Sequence, residues 1–86
     1  MQDQETYPIH SFSKNQDEEI RLSVRKYKGR HFIDLRLWFQ SEKGGEYRPS
    51  KKGVFFSVEY LPEFKRGVDR LLKAAEKFQA PVETTV

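Results

Sequence analysis

The sequence predicts an α+β domain in which a four-stranded antiparallel sheet is followed by one C-terminal helix. In two runs between residues 20 and 37, apolar residues alternate with polar ones, a period of two that is typical of strands with one buried face. After residue 60 the apolar residues recur every three or four positions, which is the period of an amphipathic helix. With 86 residues, the chain is long enough for one small domain.

The best-defined part of the predicted sheet is a hairpin. Its first strand covers residues 20–27, its second covers residues 31–40, and residues 28–30 form the turn. Alternation places one set of apolar side chains on a common buried face: Ile20, Leu22, Val24, Ile33, Leu35 and Leu37. The opposite face carries Arg21, Ser23, Arg25 and Tyr27. A sheet with one apolar face and one face of cations and aromatic rings is suited to a flat, negatively charged partner.

The remaining strands and the N-terminal region have weaker patterns. Residues 41–46 are polar, include two glycines and suit a reversal between antiparallel strands. A short third strand is predicted at residues 47–49 and a fourth at residues 53–56. Pro49 cannot donate to a sheet ladder, which indicates an edge strand or an interrupted one. Residues 1–18 mix polar and charged types without a sustained period and are predicted to be a flexible tail.

The predicted helix begins after Ser57, which is a suitable N-cap, and ends near Phe78. Pro62 either costs a hydrogen bond in a helix that starts at Ser57, or lies in the first regular turn after a short 3₁₀ segment. Residues 80–86 are predicted to be a C-terminal tail. The apolar stripe of the helix consists of Leu61, Phe64, Val68, Leu71, Leu72, Ala75 and Phe78.

The expected core is small, because one helix covers only part of one face of such a sheet. Leu71 and Leu72 are adjacent, about 100° apart around a helix, so one can face its own sheet while the other faces outward. Self-association would bury the outward side chains, and the sequence therefore predicts a homodimer, most simply with two-fold symmetry. The predicted dimer interface consists of Phe64, Val68, Leu71, Leu72, Ala75 and Phe78.

The net charge of +3 hides a basic middle third. Residues 20–56 contain ten Lys or Arg side chains against three acids, together with seven of the twelve aromatic residues. Exposed rings have little value for solubility, so cations interleaved with rings favour a binding face for a polyanion. Asp34 is the one acid within the predicted basic sheet, and we expect it to pair with a neighbouring arginine rather than to act in catalysis.

Enzymatic functions are not supported by the sequence. His10 and His31 lack the partner spacing of a metal site, and no glycine-rich phosphate loop, nucleophile motif or carboxylate pair is present. We therefore predict no catalytic residues, no metal and no cofactor. The absence of cysteine excludes disulfides, and no apolar run approaches the ~20 residues needed to span a membrane. The expected location is intracellular: cytoplasm or nucleoid in a bacterium, nucleus in a eukaryote.

Three segments resemble, in order and spacing, the single-stranded-DNA-binding domain of the transcriptional coactivator Positive Cofactor Four (p15) family. They are SVRKYKGR, FIDLRLWF and GEYRPSKKGV, which cover residues 23–30, 32–39 and 45–54, and a helix of suitable length follows them. The resemblance extends over roughly residues 20–78, with one apparent extra glycine in the loop. It implies a dimer of curved sheets with paired helices, in which residues 19–79 form the DNA-binding and dimerisation domain.

The resemblance also implies functional residues. Tyr27 falls at the family's base-stacking aromatic, and the family's tryptophan aligns with Phe39, whereas the tryptophan of this chain is Trp38. Strict alternation places Trp38 beside Arg36 on the exposed face, and a bulge would place Phe39 there instead. The nucleic-acid-binding residues expected from this alignment are Arg25, Tyr27, Lys28, Arg30, Arg36, Trp38, Phe39, Arg48, Lys51 and Lys52.

The predicted function is therefore binding of single-stranded DNA with little sequence preference, in a transcriptional coactivator-like role that can include contacts with the transcription machinery. Two alternatives stay open at this point. One is a protein-interaction adaptor whose basic face meets acidic partners, and the other is an RNA-binding protein.

Overall fold

The computed structural model describes residues 5–78, and the predicted fold class is confirmed. A four-stranded antiparallel sheet is followed by a 3₁₀ helix and one α-helix. The elements are β1 (Glu5–Asn15), β2 (Glu18–Tyr27), β3 (Arg30–Gln40), β4 (Tyr47–Ser57), the 3₁₀ helix (Val58–Tyr60) and α1 (Leu61–Ala75). The strands lie in the order β1-β2-β3-β4, so each strand pairs with its neighbours in the sequence.

The predicted hairpin forms the centre of the sheet as β2 and β3. Their pairing runs without interruption from Glu18 opposite Phe39 to Tyr27 opposite Arg30. Lys28 and Gly29 form the two-residue turn, with φ angles of 53° and 78°. Two positive φ angles suit the right-handed twist of the flanking strands, and glycine adopts such an angle at little cost. The unbroken pairing keeps the predicted two faces intact along both strands.

The N-terminal region differs from the sequence prediction. Residues 1–18 are expected to be a flexible tail, but Glu5–Asn15 forms β1, which pairs with β2 along its whole length. Bulges between Pro8 and His10 and between Ser13 and Asn15 interrupt the period of two, and all residues of this edge strand are exposed. No clean alternation therefore marks the strand in the sequence. The predicted tail at 80–86 lies outside the described residues.

The third and fourth strands expected from the sequence are one strand, β4. Its pairing with β3 shifts between Arg36 opposite Gly53 and Trp38 opposite Pro49, so β4 carries extra residues at this point. The guanidinium of Arg36 donates through Nη1 to the backbone oxygen of Ser50, at 3.0 Å, inside the bulge. The bulge explains the break in the pattern around residues 50–52. As expected for a strand with Pro49, β4 lies at an edge of the sheet.

The helical segment begins as the second of the two alternatives for Pro62 predicts. Ser57 caps the 3₁₀ helix, where its Oγ accepts from the backbone N–H of Glu59 at 3.5 Å, and Pro62 lies in the first turn of α1. Phe64 contacts Phe56 of the sheet, with 5.3 Å between the ring centroids. Within residues 5–78, no helix is long and apolar enough to cross a membrane.

The core of a single chain is thin. Its buried apolar residues are Ile33 and Leu37, which are 7% and 8% exposed and lie on the predicted buried face of β3. Leu71 and Leu72 are 69% and 65% exposed, so the expectation that one of them packs on its own sheet is wrong. α1 contacts the sheet near its first turn, where Phe64 meets Phe56, whereas Leu71 and Leu72 later in the helix remain accessible.

Candidate nucleic-acid interface

One face of the sheet gathers most of the charged and aromatic side chains, and we call it the polar face. Strand register aligns Arg21 with Arg36, Ser23 with Asp34, and Asp34 in turn with Phe55 on β4. Because side chains alternate along each strand, these residues point to the same side. The polar face consists of Thr6, Pro8, Ser11, Glu19, Arg21, Ser23, Arg25, Tyr27, Arg30, Phe32, Asp34, Arg36, Trp38, Tyr47, Pro49 and Phe55.

Asp34 lies at the centre of the polar face and organises two arginines. Its residue is 9% exposed, and its carboxylate accepts from Arg25 Nη1 at 3.2 Å and from Arg36 Nε at 3.0 Å. Arg36 also donates to the backbone of Ser50, so its guanidinium is held on two sides. The expectation that Asp34 pairs with a neighbouring arginine is confirmed. These charge-assisted hydrogen bonds hold both guanidinium groups in fixed positions on the sheet.

A first aromatic group lies on one side of Asp34. Phe32 and Phe55 stack with 4.9 Å between centroids and 15° between ring planes. The guanidinium carbon of Arg25 is 5.5 Å from the Phe55 centroid, and that of Arg30 is 5.6 Å from the Phe32 centroid. Each ring therefore has a cation within the range of a cation–π contact.

A second aromatic group lies on the other side of Asp34 and is centred on Arg21. Its guanidinium carbon is 4.2 Å from the Trp38 centroid and 5.4 Å from the Tyr47 centroid. Glu19 accepts from Arg21 Nε at 2.9 Å. Trp38 shares the polar face with Arg36, as strict alternation predicts, because the bulge lies in β4 and leaves the phase of β3 unchanged.

The β2–β3 turn forms a corner of the polar face. Tyr27 is 44% exposed, and Lys28 Nζ lies 5.3 Å from the centroid of its ring. Arg30 is the strand partner of Tyr27 and points to the same face. The corner therefore presents an accessible ring with cations on both sides.

The structure separates two of the expected site residues from the others. Phe39 pairs with Arg48 in the β3–β4 register, and both belong to the opposite face from Trp38. The expectation that Phe39 can share the binding face is wrong, because no bulge in β3 changes its phase. Arg48 is exposed, but it points away from the polar face for the same reason.

Lys51 and Lys52 are exposed beside the β4 bulge, at the rim of the sheet. Hydrogen bonds from Lys14 and Asn15 hold the pKa of Glu18 below its ordinary range, and the charge of Lys52 adds to this effect. Cations therefore extend from the polar face around the β4 edge.

Four residues that shape the polar face are missing from the predicted set of binding residues: Phe32, Tyr47, Phe55, and Arg21, which is predicted to lie on this face but without a role in binding. Arg21 and Phe32 are in phase with Arg25 and Asp34, so strand alternation could have identified both. Tyr47 and Phe55 lie on either side of the β4 bulge, and their common orientation depends on a register that the sequence pattern does not give. Within residues 5–78, no group of three or more His, Asp or Glu side chains is placed to hold a metal ion.

Comparison with known proteins shows which family this arrangement resembles. The family model of Transcriptional Coactivator p15 (PC4) matches residues 14–67. A PC4 homologue from Burkholderia pseudomallei, solved in a tetragonal crystal form, is 28% identical with a TM-score of 0.70, over 81% of this chain and 98% of that chain. In its orthorhombic crystal form the values are 30% identity, a TM-score of 0.67, 80% of this chain and 89% of that chain.

The fold also matches a more distant protein. The bacteriophage T5 homologue of the eukaryotic transcription coactivator PC4, implicated in recombination-dependent DNA replication, is 22% identical. The match has a TM-score of 0.66 and covers 83% of this chain and 81% of that chain. At this identity the comparison supports the shared fold alone.

Proposed function

The chain belongs to the transcriptional coactivator p15 (PC4) family, and from that premise we propose that it binds single-stranded DNA on the polar face. The observation that carries this proposal is the interleaving of rings and guanidinium groups on one open side of the sheet. A single strand offers phosphates to the cations and base faces to the rings. A duplex offers the same phosphates but keeps its base faces stacked inside.

The proposed contacts with the single strand are of two kinds, stacking of bases on rings and pairing of phosphates with cations. Tyr27 at the exposed corner is the ring that we assign to direct base stacking, and Trp38 rather than Phe39 is the second ring of the binding face. The cations that we assign to phosphate contacts on this face are Arg25, Lys28, Arg30 and Arg36. Lys51, Lys52 and Arg48 extend the positive charge around the β4 edge, where a bound strand would leave the sheet.

Little sequence preference is expected from this arrangement. Every base has a face that can stack on a ring, so stacking discriminates poorly between bases. Reading a base edge takes free hydrogen-bond donors in fixed positions. Arg36 already uses Nε and Nη1 on Asp34 and Ser50, so two of the three nitrogens from which a guanidinium makes bidentate contacts with a base are engaged.

We further propose that the functional unit is a homodimer. The apolar face of the sheet leaves Val54 and Phe12 about half exposed, at 49% and 52%, and α1 leaves Leu71 and Leu72 more exposed still. Burial of such side chains is the main favourable contribution to association. A two-fold pairing of helices would bury the interface residues Phe64, Val68, Leu71, Leu72, Ala75 and Phe78.

The cellular role proposed here is regulation of transcription in the manner of a coactivator, with the single strand as the ligand. Family membership supports this role, and the absence of a helix suited to crossing a membrane within residues 5–78 is compatible with it. Contacts with proteins of the transcription machinery would use surfaces other than the polar face.

The test is a binding measurement with a 20-nucleotide single strand and a duplex of equal charge, each at two salt concentrations. We expect preference for the single strand, and log affinity should fall with log salt by about 0.7 for each phosphate contact. Equal affinity for both DNA forms, or affinity that does not change with salt, contradicts the proposal. Competition by RNA of the same sequence and by polyglutamate tests the two alternative ligands. If either of them displaces the bound strand at a lower concentration than DNA does, that class of molecule and not DNA is the ligand.

A further inference from the structure

An open depression of about 530 Å³ lies on the polar face between β1 and Trp38. The side chains around it that matter here are Thr6, Pro8, Ser11, Arg21, Ser23 and Trp38. It is large enough for a planar base, and β1 supplies one of its walls. A smaller depression of about 330 Å³ follows on the side of Asp34 and shares Arg21 and Trp38 with it.

Arg21 covers the Trp38 ring at this depression. With 4.2 Å between the guanidinium carbon and the ring centroid, the guanidinium lies against the face of the indole. Glu19 fixes Arg21 through Nε at 2.9 Å, and the Arg21 side chain is 33% exposed. Among the described residues, no hydrogen-bond partner engages the terminal nitrogens of Arg21. The accessible plane at the depression is therefore the guanidinium.

We propose that this depression is a slot for one nucleobase of the bound single strand, and that the base stacks on the guanidinium plane of Arg21. This inference rests on the proposed function. A guanidinium is planar, weakly hydrated and stacks on rings, so a base and Trp38 can occupy its two sides. Trp38 and Glu19 also line the depression, and their role in this arrangement is to hold the plane of Arg21 in position.

Three hydroxyl side chains in the wall of the slot suit any base. Thr6, Ser11 and Ser23 each carry a hydroxyl, which can both donate and accept a hydrogen bond. Hydroxyl groups therefore match either kind of base edge and do not select among the bases. The slot gives β1 a function: without this strand, Arg21 would lie on an edge strand and the depression would lack the wall formed by Thr6, Pro8 and Ser11.

Trp38 is the single tryptophan of the chain, so its fluorescence reports directly on this site. The first measurement compares binding of a 20-nucleotide oligothymidylate to the unmodified protein and to Arg21→Lys, which keeps the charge and removes the plane. We expect affinity to fall by about fivefold to 150-fold, because one stacked base contributes about 1–3 kcal/mol and each ~1.4 kcal/mol is tenfold. The dependence of affinity on salt should not change. Arg66→Lys on α1 is the matched control, and it should bind like the unmodified protein.

The second measurement is quenching of Trp38 emission by the same oligonucleotide. Arg21→Ala uncovers the indole face, so a base can then stack on it directly, and quenching at saturation should exceed that of the unmodified protein. If Arg21→Ala does not fold, the affinity of Arg21→Lys alone decides whether a base stacks on Arg21. Unchanged affinity of Arg21→Lys, or equal quenching in Arg21→Ala and the unmodified protein, overturns the slot while the proposed function stands. Failure of the unmodified protein to bind oligothymidylate overturns the proposed function itself.

Discussion

The two faces of the sheet differ in how many of their side chains find contact partners within a single chain. On the polar face, Asp34 holds two arginines and the rings stack with cations from neighbouring strands. On the apolar face and along α1, the large apolar side chains remain accessible, and Leu71 and Leu72 are about two thirds exposed. The polar face is thus arranged within a single chain, whereas the apolar surface is suited to a second chain.

The difference follows from what each kind of interaction requires. An ion pair or a stacked ring needs one partner at a fixed distance, and strand register supplies that partner locally. Hydrophobic stabilisation needs area: a fully buried large side chain contributes about 1.5–3 kcal/mol, while ordering each residue costs about 1–2 kcal/mol. Within residues 5–78, Ile33 and Leu37 are the buried apolar side chains, and the other apolar residues of β2 and β3 are only partly buried. The proposed dimer would add buried apolar area and so stabilise the sheet that carries the polar face.

The strongest disruption of this arrangement is expected on α1. Leu71→Asp combined with Leu72→Asp would place two carboxylates in the proposed apolar interface, where unpaired charges are costly. We expect the dimer to be lost and the fold to be lost with it, because the cost approaches the ~5 kcal/mol at the lower end of domain stability. Sedimentation and thermal unfolding measure the two effects.

The matched control is Arg66→Asp combined with Lys73→Asp, which adds the same two carboxylates on the opposite side of the helix. This variant should sediment as a dimer. A well-folded monomer of the unmodified protein at micromolar concentration would contradict the proposed dimer, and the apolar surface would then need another explanation.

The next largest effect is expected at the centre of the polar face. Asp34→Asn keeps the shape of the side chain but removes the charge between Arg25 and Arg36. Breaking a largely buried ion pair by neutralising one partner typically costs about 3 kcal/mol in the free energy of unfolding. Asp69→Asn is the control, because the ion pair of Asp69 with Lys65 is exposed and contributes little. If urea unfolding shows the same loss of unfolding free energy in both variants, Asp34 does not organise the polar face.

Gly53 tests how closely the polar face is packed at the β4 bulge. A methyl group at this position would lie 2.6 Å from the backbone oxygen of Leu35 and 3.1 Å from Arg36 Cα. Because the first clash involves backbone, Gly53→Ala should reduce the free energy of unfolding by about 1–3 kcal/mol. Gly67→Ala, in α1 with no atom near the added methyl, should instead stabilise by about 0.5–1 kcal/mol. Changes of the same sign in the two variants would contradict this account of the bulge.

The sequence predicts the regular parts of the molecule well. The β2–β3 hairpin has an unbroken period of two and a short turn with glycine, and the helix has a clear period of three to four. In both elements a side chain's face depends only on its position along one segment. For this reason Arg25, Arg36 and Trp38 are correctly predicted to share a face.

The sequence does not predict those features of the sheet that depend on the register between strands. β1 is an exposed edge strand with two bulges, so its pattern resembles that of a flexible segment. The bulge in β4 changes which residues face the arginines, and the stack of Phe32 on Phe55 exists only in that register. At the bulge Arg36 donates to the backbone oxygen of Ser50, a contact between residues distant in the sequence that no local pattern encodes.

The smallest effect on folding, and a clear effect on binding, is expected at Tyr27. Its ring is 44% exposed at the corner of the polar face, so Tyr27→Ala should change the free energy of unfolding by no more than ~0.5 kcal/mol. Loss of one stacked base should weaken single-strand binding by about 1–3 kcal/mol.

Tyr27→Phe keeps the ring and should bind nearly like the unmodified protein. Tyr60→Ala removes a similarly exposed ring from the 3₁₀ helix, away from the polar face, and should leave binding unchanged. If Tyr27→Ala unfolds the protein, Tyr27 belongs to the packing of the sheet. If affinity is the same for Tyr27→Ala and Tyr60→Ala, base stacking does not take place at this corner, and the cations alone would account for the binding.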